Sequence, residues 1–380
     1  MNVSRILPYA IKTNNFLNRK QNSIPFSASK REMDVFVSKK GIVKVDGAEA
    51  QKTNKEVKKA QEDFYKLGYN SYVDSDNKII LNGYDAKQED LKEFGIDENE
   101  LFKHVKAIEG GASFIDSNIT SFPELEYVNG EVFFVDCNKL NSFPALEKVS
   151  GEVYIKNSSI QEIPKLKHIG GDLTIHNCPK LAVIPNLEEI KESAYLDESN
   201  IKFPNLKAVE KDLYARNSNV LMDGLETVGN SLYIKNSSIK TFPSLRYVGR
   251  SIDARYCEKL KSMPKLEMTG VYGGYADFSY SAIEDLSSFS AAFGGLDISY
   301  CSKLKSLPLL ESIGLGAIMK NSAIENLPKL NKVGGRLDIS GCKDLTSLLA
   351  LEIADNDVDF RGSGVKEIAS NLHIRGEIIC

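Results

Sequence analysis

A chain of 380 residues, 42% hydrophobic and 26% charged, has the make-up of a soluble globular protein and is long enough for one large core or two ordinary domains. Its formal net charge of -4 excludes a general field that would gather nucleic acid or an anionic membrane, so no nucleic-acid partner is expected and charged recognition must be local. No apolar run reaches the roughly 18 residues that a spanning helix needs, which argues against membrane insertion.

Residues 1–30 are rich in Asn, Ser and Lys, show no period, and are expected to form a disordered leader. The apolar stretch Ile6 to Ile11 contains Pro8 and is shorter than the core of a secretory signal. A cytoplasmic location, or export by a non-classical route that reads the leader, follows as the expectation. Residues 31–109 read as a small α+β unit. Val35 and Val37 alternate, and Ile42 to Val45 follows a Lys-Lys-Gly turn, which predicts a short hairpin. Thr53-Asn54-Lys55-Glu56 has capping-box spacing, and Val57, Ala60, Phe64 and Leu67 behind it predict an amphipathic helix closed by Gly68. Lys78 to Leu81 predicts a strand. Asp97 to Glu100 repeats the capping signature and predicts a further helix carrying Leu101, Val105 and Ile108.

From Gly110 onward the chain repeats itself every 20 or 21 residues. The shorter form is seen in GEVYIKNSSIQEIPKLKHIG from Gly151, and the longer in GDLTIHNCPKLAVIPNLEEIK from Gly171 and GGLDISYCSKLKSLPLLESIG from Gly294. About twelve copies and a partial thirteenth fill residues 110–380. Each opens with apolar-x-apolar, as in Val153-Tyr154-Ile155, the alternation of a half-buried strand. A polar or small residue, an aliphatic, usually a Pro, two more aliphatics and a closing Gly follow. So few aliphatics cannot bury themselves within one copy, whereas stacked copies share a core.

The register resembles the leucine-rich-repeat family. Leu173-x-Ile175-x-x-Cys178-x-x-Leu181 and Leu296-x-Ile298-x-x-Cys301-x-x-Leu304 fit its Cys form, and Leu232-x-Ile234-x-x-Ser237-x-Ile239 its shorter form with Ser for Asn. The resemblance covers about 270 residues. It implies a right-handed solenoid with one parallel strand per repeat on a concave face and extended or 3₁₀ segments on the convex side. Twelve strands about 4.8 Å apart would make a strip on the order of 55 to 60 Å long. The apolar face of a first repeat needs a cover, so residues 31–109 are expected to serve as an N-terminal cap.

Cys137, Cys178, Cys257, Cys301 and Cys342 share one repeat position, where the family places a side chain that hydrogen-bonds the turn after the strand. The nearest two lie two repeats apart, about 9 to 10 Å, beyond disulfide reach. They are expected to be reduced structural thiols. Cys342-x-Asp344 has the spacing of the motif in bacterial leucine-rich-repeat ubiquitin ligases, but there the Cys belongs to a separate helical domain and here it falls on the ladder. The four histidines, His104, His168, His176 and His373, lack metal or dyad spacing, and no phosphate loop, nucleophile elbow or carboxylate pair is visible. Neither catalysis, a metal nor a cofactor is expected.

If the two strand aliphatics face inward, the residue between them and the one after them face outward. The first outward column reads Phe133, Tyr154, Thr174, Tyr195, Tyr214, Tyr233, then Asp253, Asp277, Asp297, Ile318, Asp338, Asp359. The second includes Lys156, His176, Arg216, Lys235 and Arg255, so cations flank the tyrosines. Tyr and Arg dominate binding hot spots, although stacked Tyr also suits a β-surface for its own sake. Stacked carboxylates repel and call for cationic company, from Arg255 and Arg361, a basic partner or calcium. A protein partner along the concave sheet is the leading expectation, with glycan binding and a role as a secreted effector or adaptor as alternatives. Residues 270–293 break the repeat by length and extra Gly, as a kink or a contact loop. Leu372, Ile374, Ile378 and Ile379 begin another strand, which makes end-to-end self-association a further expectation.

Overall fold

The computed structural model describes residues 54–380, which pack as one compact unit. The leader and the hairpin expected near Val35 to Val45 lie outside the described residues. Helix α1 (Lys55–Lys66) places Val57, Ala60 and Phe64 on one buried face. Its N-cap is Asn54, whose Oδ1 accepts from the Glu56 amide at 3.0 Å, so the start lies one residue past the Thr53 cap that the sequence suggests. A hairpin of β1 (Ser71–Val73) and β2 (Ile79–Leu81) follows, and two short helices, α2 (Gln88–Glu93) and α3 (Glu98–Phe102). The helix expected through Val105 and Ile108 stops at Phe102. Val105–Ile108 is instead a strand, β3, because its backbone is taken up on both sides, by β2 and by Tyr127–Val128.

Beyond β3 the chain is a β-solenoid of about fourteen turns. One sheet, called the front sheet below, has 14 strands running from β4 (Ala112–Ile115) to Ile378–Ile379. A second, the back sheet, has 16, opening with β1, β2 and β3 and continuing through Tyr127–Val128 to His373–Ile374. Two corrections follow. The front sheet carries fourteen strands where about twelve repeats and a partial one were expected, and the far side is not extended or 3₁₀ but a second parallel ladder, mostly of two-residue strands. A third line of bridges joins Ser121, Ser142, Glu162, Val183, Lys202 and Leu221, so many coils bond their neighbours at three places. Backbone that cannot pair within so short a coil pairs with the next one.

The core runs the length of the stack. Front-strand aliphatics such as Val153 and Ile155 meet back-strand ones such as Val149 and Ile169, all essentially without solvent exposure. At the N-terminal end the filling is aromatic. Phe64, Phe102 and Tyr84 contact one another, Phe102 and Tyr84 also meet Phe114, and from there Phe114 stacks on Phe134 at 5.2 Å and Phe122 on Phe143 at 5.0 Å.

Candidate recognition face

The end of each front strand is built around a side-chain ladder. Cys137, Cys178, Cys257, Cys301 and Cys342 are buried free thiols. Each donates to a carbonyl of the preceding coil, as Cys257 does to Ile234 at 2.9 Å and Cys301 to Phe278 at 3.1 Å. Burial pushes the Cys137 thiol up to about 12 and the Cys301 thiol to about 11, which keeps both protonated as donors. In other coils the same position holds Ser117, Ser158, Ser218, Ser237, Ser281 and Ser322, all buried, and the half-buried Ser199. The residue type follows the turn length. After Ser the next aliphatic is two residues on, and the hydroxyl can accept its amide, as Ser117 does from Ile119 at 3.1 Å. After Cys it is three residues on, and the Cys carbonyl accepts instead, as from Leu181 to Cys178 at 3.1 Å. A thiol accepts poorly, so it suits the longer turn.

The first outward column lies in one register along the front sheet, each residue beside its counterpart in the next coil from Phe133 and Tyr154 through Thr174, Tyr195, Tyr214 and Tyr233 to Asp253, Asp277, Asp297, Ile318, Asp338 and Asp359. Tyr195, Tyr214 and Tyr233 stack nearly parallel, with centroids 5.0 and 4.7 Å apart, while Phe133 and Tyr154 are tilted at 5.9 Å. The guanidinium of Arg216 lies 5.5 Å from the Tyr214 ring centre and is held by Asp197 at 2.9 Å. Lys156 and Lys235 are half-buried and His176 is exposed on the same face.

The acidic half differs from coil to coil. Asp253 grips Arg255 through two bonds of 2.8 Å. Burial works against the Asp253 charge, yet the Arg255 fork holds its carboxyl below the ordinary value. Asp277 has the same Arg255 at 3.6 Å. Asp338 has Arg336 at 3.7 Å and its own Ser340 hydroxyl at 2.6 Å. Asp359 is fully buried beneath Arg336 at 2.9 Å and Arg361 at 2.7 Å, and the Arg361 bonds outweigh burial to bring its carboxyl down to about 2. Asp359 therefore stays in the outward column without being exposed, because the side chains of Arg336 and Arg361 cover it and pair with its carboxylate. Asp297 is the opposite case. Burial and the neighbouring Asp277 and Asp338 carboxylates raise it above the ordinary value, against a 2.7 Å bond from the Ser299 amide.

A second aromatic ladder lies outside the two outward columns. Tyr256, Tyr280 and Tyr300 each follow a second-column residue and stack at 5.1 and 4.5 Å, all exposed. Their backbone is left-handed, with φ of 57°, 58° and 58°, at a position that Asn157, Asn177, Asn217, Asn236 and Asn321 fill in other coils. A bulky residue there costs about 1 to 2 kcal/mol, which the ring stack, worth about 0.5 to 1.5 kcal/mol per pair, offsets. Its signal was available: Arg-Tyr-Cys at 255–257, Ser-Tyr-Ser at 279–281 and Ser-Tyr-Cys at 299–301 recur in register. Among the described residues no three His, Cys, Asp or Glu side chains converge as a metal site would.

These features define the molecule as a parallel β-solenoid with an aromatic and charged front sheet. No protein-family model matches the chain, and no curated protein matches its sequence.

Proposed function

We propose that this chain is a non-catalytic recognition protein of the leucine-rich-repeat type that holds a protein partner against its front sheet. The observation that carries the reading is the pair of stacked, solvent-facing tyrosine ladders, Tyr195-Tyr214-Tyr233 and Tyr256-Tyr280-Tyr300, bordered by Arg216, Lys235 and Arg255. Tyrosine brings a large amphipathic area at small entropic cost, and a rigid sheet pre-organises it. The family assignment draws on the strand register and on the Cys/Ser ladder that bonds the preceding coil, and departs from the family's pattern in the second parallel sheet. Residues 54–109 act as the N-terminal cap in this reading, since Phe64 and Phe102 cover the Phe114 end of the core. Protein is favoured over glycan because stacking turns most ring faces toward each other, leaving edges and hydroxyls for the partner while a sugar stacks on ring faces.

The test is capture of partners with the intact protein beside a folded variant carrying Tyr195→Ser, Tyr214→Ser and Tyr233→Ser. A protein recovered with the former and lost with the latter is the expected result. Equal recovery from both would overturn the reading, and loss of the partner to competing soluble sugars would move it to glycan.

A further inference from the structure

The position just past the second outward column is left-handed backbone, and Asn, which tolerates it, fills it at 157, 177, 217, 236 and 321. In three consecutive coils tyrosine stands there instead. Tyr256, Tyr280 and Tyr300 share one register, since Asp253, Asp277 and Asp297, three residues before them, pair in turn. The amide of Tyr280 donates to the Ser299 carbonyl at 3.0 Å and that of Tyr300 to the Lys320 carbonyl at 2.9 Å, so the backbone beneath the rings is held at the coil spacing. Among the described residues Tyr280 and Tyr300 are the closest ring pair, with centroids 4.5 Å apart and planes 10° from parallel. Two rings stacked from the same backbone conformation set each carbon beside its counterpart. Both are exposed, at 45% and 39%, whereas Tyr214 and Tyr233 are half-buried. Arg216 lies over the Tyr214 ring at 5.5 Å and Lys235 over Tyr256 at 5.8 Å, and among the described residues no cation lies over Tyr280 or Tyr300.

We propose that Tyr280 and Tyr300 form an oxidative cross-linking site, joined as dityrosine by a one-electron phenol oxidant of the peroxidase type that draws on hydrogen peroxide. Each phenol gives up one electron and its hydroxyl proton, and the two phenoxyl radicals form a carbon–carbon bond between ring carbons ortho to the oxygens. The hydrogen on each of those carbons then moves as a proton to the oxygen of its own ring, which restores both phenols. Two electrons and two protons leave the pair, and one peroxide takes them up to become two waters. Three features select these two residues. The stack holds the second ring against the first, so coupling within the chain outruns encounter between chains. Exposure lets the oxidant reach both rings. Positive charge beside a ring opposes removal of an electron from it, which sets Tyr214 and Tyr256 at a disadvantage. The new bond staples two consecutive coils and closes the chain between them into a loop, which restrains the unfolded state as a disulfide does. The site needs no partner and stands independently of the recognition role.

The test is treatment of the dilute 380-residue chain with a peroxidase and hydrogen peroxide, followed by dityrosine fluorescence, intact mass and peptide mapping. The expected product is a monomer two hydrogens lighter, in which the peptides carrying Tyr280 and Tyr300 are joined and whose urea unfolding midpoint is raised. Tyr300→Phe keeps the ring stack while removing one phenol, and should abolish the joined peptide. A variant carrying Tyr195→Phe, Tyr214→Phe and Tyr233→Phe should still form it. Chain unfolded in urea before treatment should lose it, because the fold and not the sequence brings the two rings together. Absence of the joined peptide from the native chain, a link confined to another tyrosine pair, or the same link in equal yield from the unfolded chain would overturn the proposal. A joined monomer that unfolds no later than the untreated chain would overturn the staple.

Discussion

Single side chains in this fold carry duties that differ sharply between equivalent coils. The five ladder thiols are sealed and protonated, whereas Cys380 is exposed. A thiol reagent applied to the native protein should therefore label Cys380 alone, and all six cysteines only after unfolding, as intact-mass measurement would show. Labelling of a ladder cysteine under native conditions would contradict its structural role. The aspartates divide in the same way. The folded carboxyl of Asp359 lies near 2, below its ordinary 3.8, so the stability it contributes is complete above the ordinary value and is lost as pH falls toward 2. Amide exchange in the last coils should accelerate between those pH values, and Arg361→Met should move the onset upward. Asp297 has the opposite sign, since its raised carboxyl makes the ionised form a burden on the fold. Asp297→Asn should leave thermal stability at neutral pH unchanged or higher.

The coil is the next scale, and its length is set by close approach between neighbours. A β-carbon on Gly249 would meet the Gly229 carbonyl oxygen at 1.8 Å, so that glycine answers to space and not to an unusual φ. Gly273 is the reverse, with φ +77° and nothing within 4 Å of the added atom. Gly249→Ala should cost about 2 to 4 kcal/mol in urea unfolding, because backbone must move. Gly273→Ala should cost about 1 kcal/mol, the cost of a side chain in left-handed backbone. Equal losses would show that coil contact does not govern the repeat. Gly273 belongs to the insertion that separates Met268–Thr269 from Tyr275–Asp277, where Val271 and Tyr272 stand exposed, so the irregular stretch in 270–293 is a surface excursion.

Across the whole molecule, the N-terminal unit and the solenoid share both sheets. β2 and β3 lead the back sheet, and Tyr84 bridges to Ala112 at the start of the front one. The junction is pinned by a buried carboxylate: Glu98 accepts from the Tyr84 hydroxyl at 2.9 Å, the Gln88 amide at 3.0 Å and the Ser117 hydroxyl at 2.5 Å. Glu98→Ala strands these donors and should cost about 2 to 4 kcal/mol, with hydrogen exchange rising at both α3 and the first coils. Protection lost from α3 alone would mean that the two parts are energetically separate. In the last described coil Ile378 is exposed on the final front strand, and Ile368 is exposed on the strand that pairs with Ser347–Leu348.

The repeat period, the inward and outward columns and the Cys ladder were legible in the sequence, because strand alternation and a fixed repeat are local properties that each copy states again. The capping signals at Asn54 and Asp97 were legible for the same reason, to within a residue. The fate of Val105 to Ile108 was not, since its spacing suits a helix and only the neighbouring strands make it one of theirs. The second sheet is not legible in the sequence, because two-residue strands carry no alternation and their pairing exists only between coils. The Tyr256 ladder and the burial of Asp359 under Arg336 were likewise decided by tertiary structure. Each depends on which side chain of one coil reaches across to the next, a distance that sequence order does not contain.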